Sequence, residues 1–120
     1  MPRFVILEHD YPTTHWDLML EADSVLRTWR LARPPQSGET IDATAVCDHR
    51  LLYLDYEGPI SGGRGYVVRW EWGTFAEVEG SARRLVVHMA GKRLHGVLVL
   101  ERAEGDAWRG EFQECATPHS

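Results

Sequence analysis

Lysine is almost missing from this sequence. Lys92 stands alone beside twelve arginines, in a basic total of 13 against 18 acidic residues and a net charge of −5. A protein that coats nucleic acid without selectivity carries a basic stripe, so this balance excludes that class while leaving room for a local basic pocket. The arginine bias suits bidentate phosphate contacts, and a GC-rich coding sequence produces the same bias. Cysteine is scarce too. Cys47 and Cys115 form no C-x-x-C pattern, which argues against a disulfide framework and fits two free thiols in a cytoplasmic chain. Long apolar runs are absent. Phe4-Val5-Ile6-Leu7 is too short for a signal-peptide core, and nothing approaches the length of a membrane span. Helical periodicity is also wanting, with no three-turn stretch of apolar residues at three- and four-residue steps. A chain of 120 residues has room for one domain with a small core.

What is present is period-two alternation. Strands are expected over residues 3–7, 15–22, 25–31, 44–47, 51–56, 66–72, 74–79, 85–89, 94–100 and 108–112. Pro34-Pro35 stiffens one connection, and Gly62-Gly63-Arg64-Gly65 forms another. Gly73 reads as a break between two strands. Many short strands with turn signals about every 8–12 residues are the pattern of a sandwich or barrel. The expected fold is therefore all-β, a small closed or nearly closed antiparallel barrel with little helix, over residues 1–112. A polar tail follows at 113–120.

One segment carries chemistry. Within 15–22, Trp16, Leu18, Leu20 and Ala22 share one face, and His15, Asp17, Met19 and Glu21 share the other. His9 ends the preceding strand, and a short loop returns it beside His15 and Asp17. Two imidazoles and a carboxylate make a facial set with open positions, suited to Mn, Fe, Zn or Ni. Asp10 and Glu21 are candidates to orient an imidazole from behind. The spacing also fits an ordinary solvated hairpin. Met19 in the middle of the polar face and His49 in a second polar run weigh toward a site.

These residues resemble a known family, the 3′-phosphoesterase domain of bacterial DNA ligase D. Its pattern is His-Asp, four residues, then His-x-Asp-x-Arg-Leu-Glu. Here His9-Asp10 is followed after four residues by His15-Trp16-Asp17-Leu18-Met19-Leu20-Glu21. The segments Val25-Leu26-Arg27-Thr28-Trp29, Asp48-His49-Arg50-Leu51-Leu52-Tyr53, Trp70-Glu71-Trp72-Gly73-Thr74-Phe75 and Gly91-Lys92-Arg93-Leu94-His95-Gly96 resemble later family segments in the same order. The resemblance implies a compact Mn²⁺-dependent barrel that removes 3′-phosphate or 3′-ribonucleotide from DNA ends in end-joining repair. It implies His9, His15 and Asp17 as metal ligands, and His49 and Tyr53 as the groups meeting the reacting phosphate. Arg33 falls where the family has a lysine near the phosphate. The implied partners are 3′ ends of DNA or primer–template, and a DNA ligase or end-joining protein encoded separately. The chain departs from the pattern at Met19, where the family has arginine, at Leu7, where it has glutamine, and in a shorter glycine loop. Arg64 in that loop is a candidate replacement contact.

Two other functions compete. One is a weakened barrel of the same fold that binds a metal or a DNA end without turnover, favoured by Met19. The other is a cupin-like metalloenzyme on a small molecule, since Glu21 lies four residues after Asp17. Trp16, Trp29 and Trp70 fit core positions better than base-stacking ones, and the acidic residues from Glu71 to Glu79 read as a solvated face. His88 and His95 read as surface or satisfied core residues.

Overall fold

The computed structural model describes residues 1–115. Its first strand, β1 (Arg3–His9), shows no polar alternation, and the reason is burial on both faces. Phe4, Val5, Ile6 and Leu7 are each at most 1% exposed. β2 (His15–Ala22) returns antiparallel to it, pairing His15 with His9 and Leu20 with Phe4. β3 (Val25–Leu31) follows through a two-residue turn in which Asp23 takes a positive φ of 57°. An aspartate tolerates this left-handed conformation better than most residues.

The next element corrects the sequence reading. Residues 44–47 are only the middle of β4 (Thr40–Arg50), which runs on through His49. Residues 51–56 are no strand. Leu51–Leu54 forms one turn of 3₁₀ helix, because turning buries Leu54 while leaving Leu51 and Leu52 outside. After the short β5 (Gly58–Pro59) and the glycine loop comes β6 (Tyr66–Gly80), a single strand where two were expected. Gly73 does not break it. Gly73 pairs with Phe4 on one side and Gly91 on the other, and a Cβ there would overlap the carbonyl oxygen of Ala90. Glycine is needed for close approach. β7 (Arg84–Gly91), β8 (His95–Glu104) and β9 (Ala107–Glu114) complete the set. Gln113 and Glu114 pair with Val97 and Gly96, so the strand extends into the expected tail. Residues 116–120, including His119, lie outside the described residues.

Neighbour order is β1-β2-β3-β4-β9-β8-β7-β6, and β6 pairs back to β1, which closes an eight-stranded antiparallel barrel with β5 appended to β6. Closure leaves no long free edge among those eight strands. The interior is filled by Phe4, Ile6, Leu18, Trp29, Leu98, Trp108 and Phe112, among others, with Trp29 and Trp108 meeting edge to face at 5.7 Å. Trp16 and Trp70 are half-buried against this core.

A second apolar cluster lies on the outer face of β1 and β2. Val5, Leu7, Met19, Leu26, Leu54 and Val67 form it, covered by Tyr53, Tyr56 and Ile60. Met19 is therefore a core residue of a second layer. The segment between β4 and β6 folds over the barrel wall here, and its anchors include bonds from Arg3 to both carboxylate oxygens of Asp55, at 3.2 and 2.6 Å. The covering segment brings Tyr53 and Arg64, beside His49 at the end of β4, over the wall that carries His9 and Asp17.

The solvated acidic face holds for the exposed Glu77 and Glu79 but fails at Glu71. It is wholly buried and accepts hydrogen bonds from the backbone N–H groups of Trp72, Lys92, Arg93 and Leu94 at 2.6–3.0 Å. It is the anion around which the β7–β8 turn is built.

Candidate metal centre and cleft

His9, His15 and Asp17 meet at the mouth of the β1–β2 hairpin. Each offers a ligand atom, and the three atoms lie within 4.8 Å of one another, the one such group among the described residues. His15 and Asp17 are 6% and 5% exposed, which excludes an ordinary solvated hairpin face.

The hydrogen bonds fix which nitrogens face inward. His9 Nε2–H donates to the carbonyl of Arg64 at 2.7 Å, and His15 Nδ1–H donates to the carbonyl of Thr13 at 3.0 Å. A carbonyl oxygen only accepts, so these two nitrogens carry the hydrogens. His9 Nδ1 and His15 Nε2 then face Asp17 Oδ2, at 4.0 and 3.2 Å, the second within hydrogen-bonding distance. Two ring nitrogens turned toward a carboxylate need a positive charge among them, which a shared proton or a bound cation supplies. The other carboxylate oxygen, Asp17 Oδ1, is buried and has no hydrogen-bond partner. Such an atom is costly in a protein interior. Two imidazoles with their far nitrogens anchored, plus one carboxylate, form a donor set that fits a divalent transition metal.

The site opens into a cleft of about 290 Å³. Leu7, Met19, Val67 and Ile60 line its apolar part, and His9, Asp17, Arg30, His49, Tyr53 and Arg64 its polar part. His49 donates Nδ1–H to the carbonyl of Cys47 at 3.0 Å, leaving Nε2 as its free nitrogen, and its ring meets Tyr53 edge to face at 5.7 Å. The 3₁₀ turn, not a shared strand face, makes this contact.

Other expected site residues lie elsewhere. Asp10 accepts from the backbone N–H of Tyr66 at 2.8 Å and ties the cleft loop to β6, and the imidazoles are oriented by carbonyls instead. Glu21 accepts from the N–H of Arg3 at 2.8 Å at the far end of β2, which removes the feature the cupin-like reading required. Arg33 donates to the carbonyl of Thr40 and lies 3.5 Å from Glu39, outside the cleft lining. Arg64 does line the cleft, but its Nε bonds the carbonyl of Ser61 at 2.8 Å. His88 pairs with Val97 and His95 with Ala90, so the two do not oppose each other.

Sequence reasoning missed Arg30. A two-residue turn between β2 and β3 places Arg30 directly opposite Asp17, with Nε 3.6 Å from Asp17 Oδ1. The turn at Asp23-Ser24 was the signal that could have fixed this register.

The sequence model of the DNA ligase D 3′-phosphoesterase domain matches residues 7–102, which span His9, His15, Asp17, His49 and the late hairpin. The chain belongs to that family. It is 32% identical over 114 residues to the multifunctional non-homologous end joining DNA repair protein LigD of Mycobacterium tuberculosis, covering 88% of this chain and 15% of that protein. It is 32% identical over 82 residues to the LigD of Pseudomonas aeruginosa, covering 64% of this chain and 10% of that protein. The LigD of Mycolicibacterium smegmatis is 28% identical over 135 aligned positions, covering 97% of this chain and 18% of that protein. The chain thus spans less than a fifth of the length of these curated relatives. No helix among the described residues is long and apolar enough to cross a membrane.

Proposed function

We propose that this chain is a Mn²⁺-dependent phosphoesterase that processes 3′ ends of DNA in end-joining repair, in the cytoplasm, with the ligation step supplied outside these 120 residues. The observation that carries the reading is the convergence of His9 Nδ1, His15 Nε2 and Asp17 Oδ2 beside a cleft whose far wall is His49 and Tyr53.

Bound among His9, His15 and Asp17, the metal supplies Lewis-acid stabilisation of the charge that develops on phosphoryl oxygens. The protein's own groups do the rest. The carbonyls of Arg64 and Thr13 hold the two imidazoles in the ligating tautomer. His49 presents Nε2 to the cleft, where, protonated, it donates to a phosphoryl oxygen or gives its proton to the departing 3′-oxygen. The Tyr53 hydroxyl is a further donor at that wall. Leu7, Met19 and Val67 form a dry floor, which strengthens each of these electrostatic contacts. Asp17 is the one acid in the cleft lining, against Arg30 and Arg64, so the cleft is suited to a phosphate monoester dianion despite the acidic chain.

The test is phosphate release from a primer–template bearing a 3′-phosphate, with and without Mn²⁺, beside His15→Ala. Turnover in the unmodified protein and none in the variant is the expected result. Mn²⁺ binding without turnover would instead establish the binding-module reading, which the absence of an arginine at Met19 favours.

A further inference from the structure

We infer that Arg30 is the residue with which this chain grips the phosphate of its substrate, from the strand beside the metal ligands. The inference rests on the phosphoester reading above. The β2–β3 register sets Arg30 opposite Asp17 and Thr28 opposite Met19, so Arg30 shares the face that carries the site. Its side chain is half-exposed and lines the cleft. Its one charged partner is Asp17, at 3.6 Å from Nε, and among the described residues its guanidinium makes no hydrogen bond within normal range.

The neighbouring arginines are committed elsewhere. Arg64 turns its guanidinium to the carbonyl and hydroxyl of Ser61, at 2.8 and 3.4 Å. Arg33 is held by Thr40 and Glu39. Arg69 lies 4.2 Å above the Trp72 ring, with Asp55 3.8 Å from its Nη1. Arg30 therefore presents free paired donors to the cleft. A planar guanidinium matches two phosphate oxygens, which an ammonium cannot do. Met19, on the cleft floor, donates nothing, and the family motif has its arginine at that position. The cation has in effect moved one strand over, to the place where Asp17 already fixes its stem.

Arg30 could instead act only through Asp17, as a positioning residue, and the two roles separate in measurement. The full chain, Arg30→Ala, Arg30→Lys and the exposed control Arg83→Ala are compared for Mn²⁺ affinity, for affinity of the Mn²⁺-loaded protein for inorganic phosphate, and for turnover of the 3′-phosphate primer–template. For Arg30→Ala the expected result is Mn²⁺ affinity within about twofold of the unmodified protein and phosphate affinity about 10- to 100-fold weaker, the range for losing a charged hydrogen-bonding group. Arg30→Lys recovers part of the loss, and Arg83→Ala loses nothing. Unchanged phosphate affinity in Arg30→Ala would overturn the inference. So would a loss of Mn²⁺ affinity that accounts for the whole loss of phosphate binding. Failure of the unmodified, Mn²⁺-loaded protein to bind phosphate or turn over would sink the phosphoester reading itself. Turnover that is normal in both the unmodified protein and Arg30→Ala would sink the inference alone.

Discussion

Replacing Glu71 should unfold the protein more readily than any other change of a charged side chain in the barrel. Its two oxygens accept four backbone N–H groups: Trp72 at 3.0 Å, Lys92 at 2.8 Å, Arg93 at 2.7 Å and Leu94 at 2.6 Å. The carboxylate is fully buried, and a Cβ on Gly91 would strike it, so the turn is fitted to this group. In Glu71→Ala all four donors lose their acceptor. Lys92 and Arg93 are exposed residues, and water can reach their amides. The amides of Trp72 and Leu94 are less accessible, and each unsatisfied buried donor costs about 1–3 kcal/mol. The expected loss is about 4 kcal/mol, a large share of the roughly 5–15 kcal/mol that holds a domain folded. Glu71→Gln keeps the volume but turns an NH₂ toward two N–H donors, and should lose about half as much. The assay is urea unfolding followed by tryptophan fluorescence, read as a lowered midpoint at unchanged slope. Glu71 pairs with Ile6, a residue of the barrel interior, so the folded fraction should bind Mn²⁺ as before. Both variants within about 1 kcal/mol of the parent would refute the view that this carboxylate organises the turn.

Gly73→Ala should cost about 3 kcal/mol or more, read from the same urea midpoint, because the new methyl meets backbone at Ala90 and Gly91, not a yielding side chain. The Arg3 guanidinium holds the Asp55 carboxyl below its ordinary value of 3.8. A depressed folded value means that the pair's stabilisation is complete above that ordinary value and disappears as pH falls through the lower folded one. Asp55→Asn should therefore be destabilising by less than about 1 kcal/mol at neutral pH, since both groups face solvent, and the difference should vanish in acid and in 1 M salt. His49→Gln should leave Mn²⁺ affinity intact while lowering kcat by about 10²-fold, the scale of a lost general acid, in the primer–template assay.

The parts of this molecule that were legible in its sequence are the parts set by neighbours in the chain. His9, His15 and Asp17 lie on one hairpin, so strand periodicity alone brings them to one face. The barrel itself follows from the density of period-two segments and their turns. The misreadings share a cause of another kind. Glu71 looks like a surface acid because its partners, the amides of residues 92–94, are some twenty positions away. Gly73 looks like a break because the strand it must approach, β7, is equally remote. Residues 51–56 alternate well enough to pass for a strand. The pull that bends them into a turn comes from the second core, where Leu54 meets residues of β1, β2, β3 and β6. Met19 likewise reads as an anomaly on a polar face until that layer is seen to cover it. Arg30 lies between the two cases, since its place is fixed by a short turn whose length the sequence displays.

The acidic balance of the chain and the proposed action on DNA ends are compatible because charges act locally. At physiological salt, exposed charges beyond about 8 Å are largely screened, so the net charge of −5 reaches a phosphate in the cleft only weakly. What that phosphate meets is Arg30, with a single acid, Asp17, in the cleft lining. The same balance penalises engagement of many backbone phosphates at once, because the chain as a whole is acidic. Binding should therefore involve about two phosphates, and the slope of log K against log salt for a single-stranded 3′-phosphorylated end should be about −1.4. A protein tracking the backbone through six or more contacts would give about −4 or steeper. The measurement is a fluorescence anisotropy titration of Mn²⁺-loaded protein at several salt concentrations. A steep slope would mean that a basic path outside the cleft carries the binding, and end recognition by the cleft alone would be wrong. A shallow slope that flattens further in Arg30→Ala would tie the contact to the terminal phosphate itself.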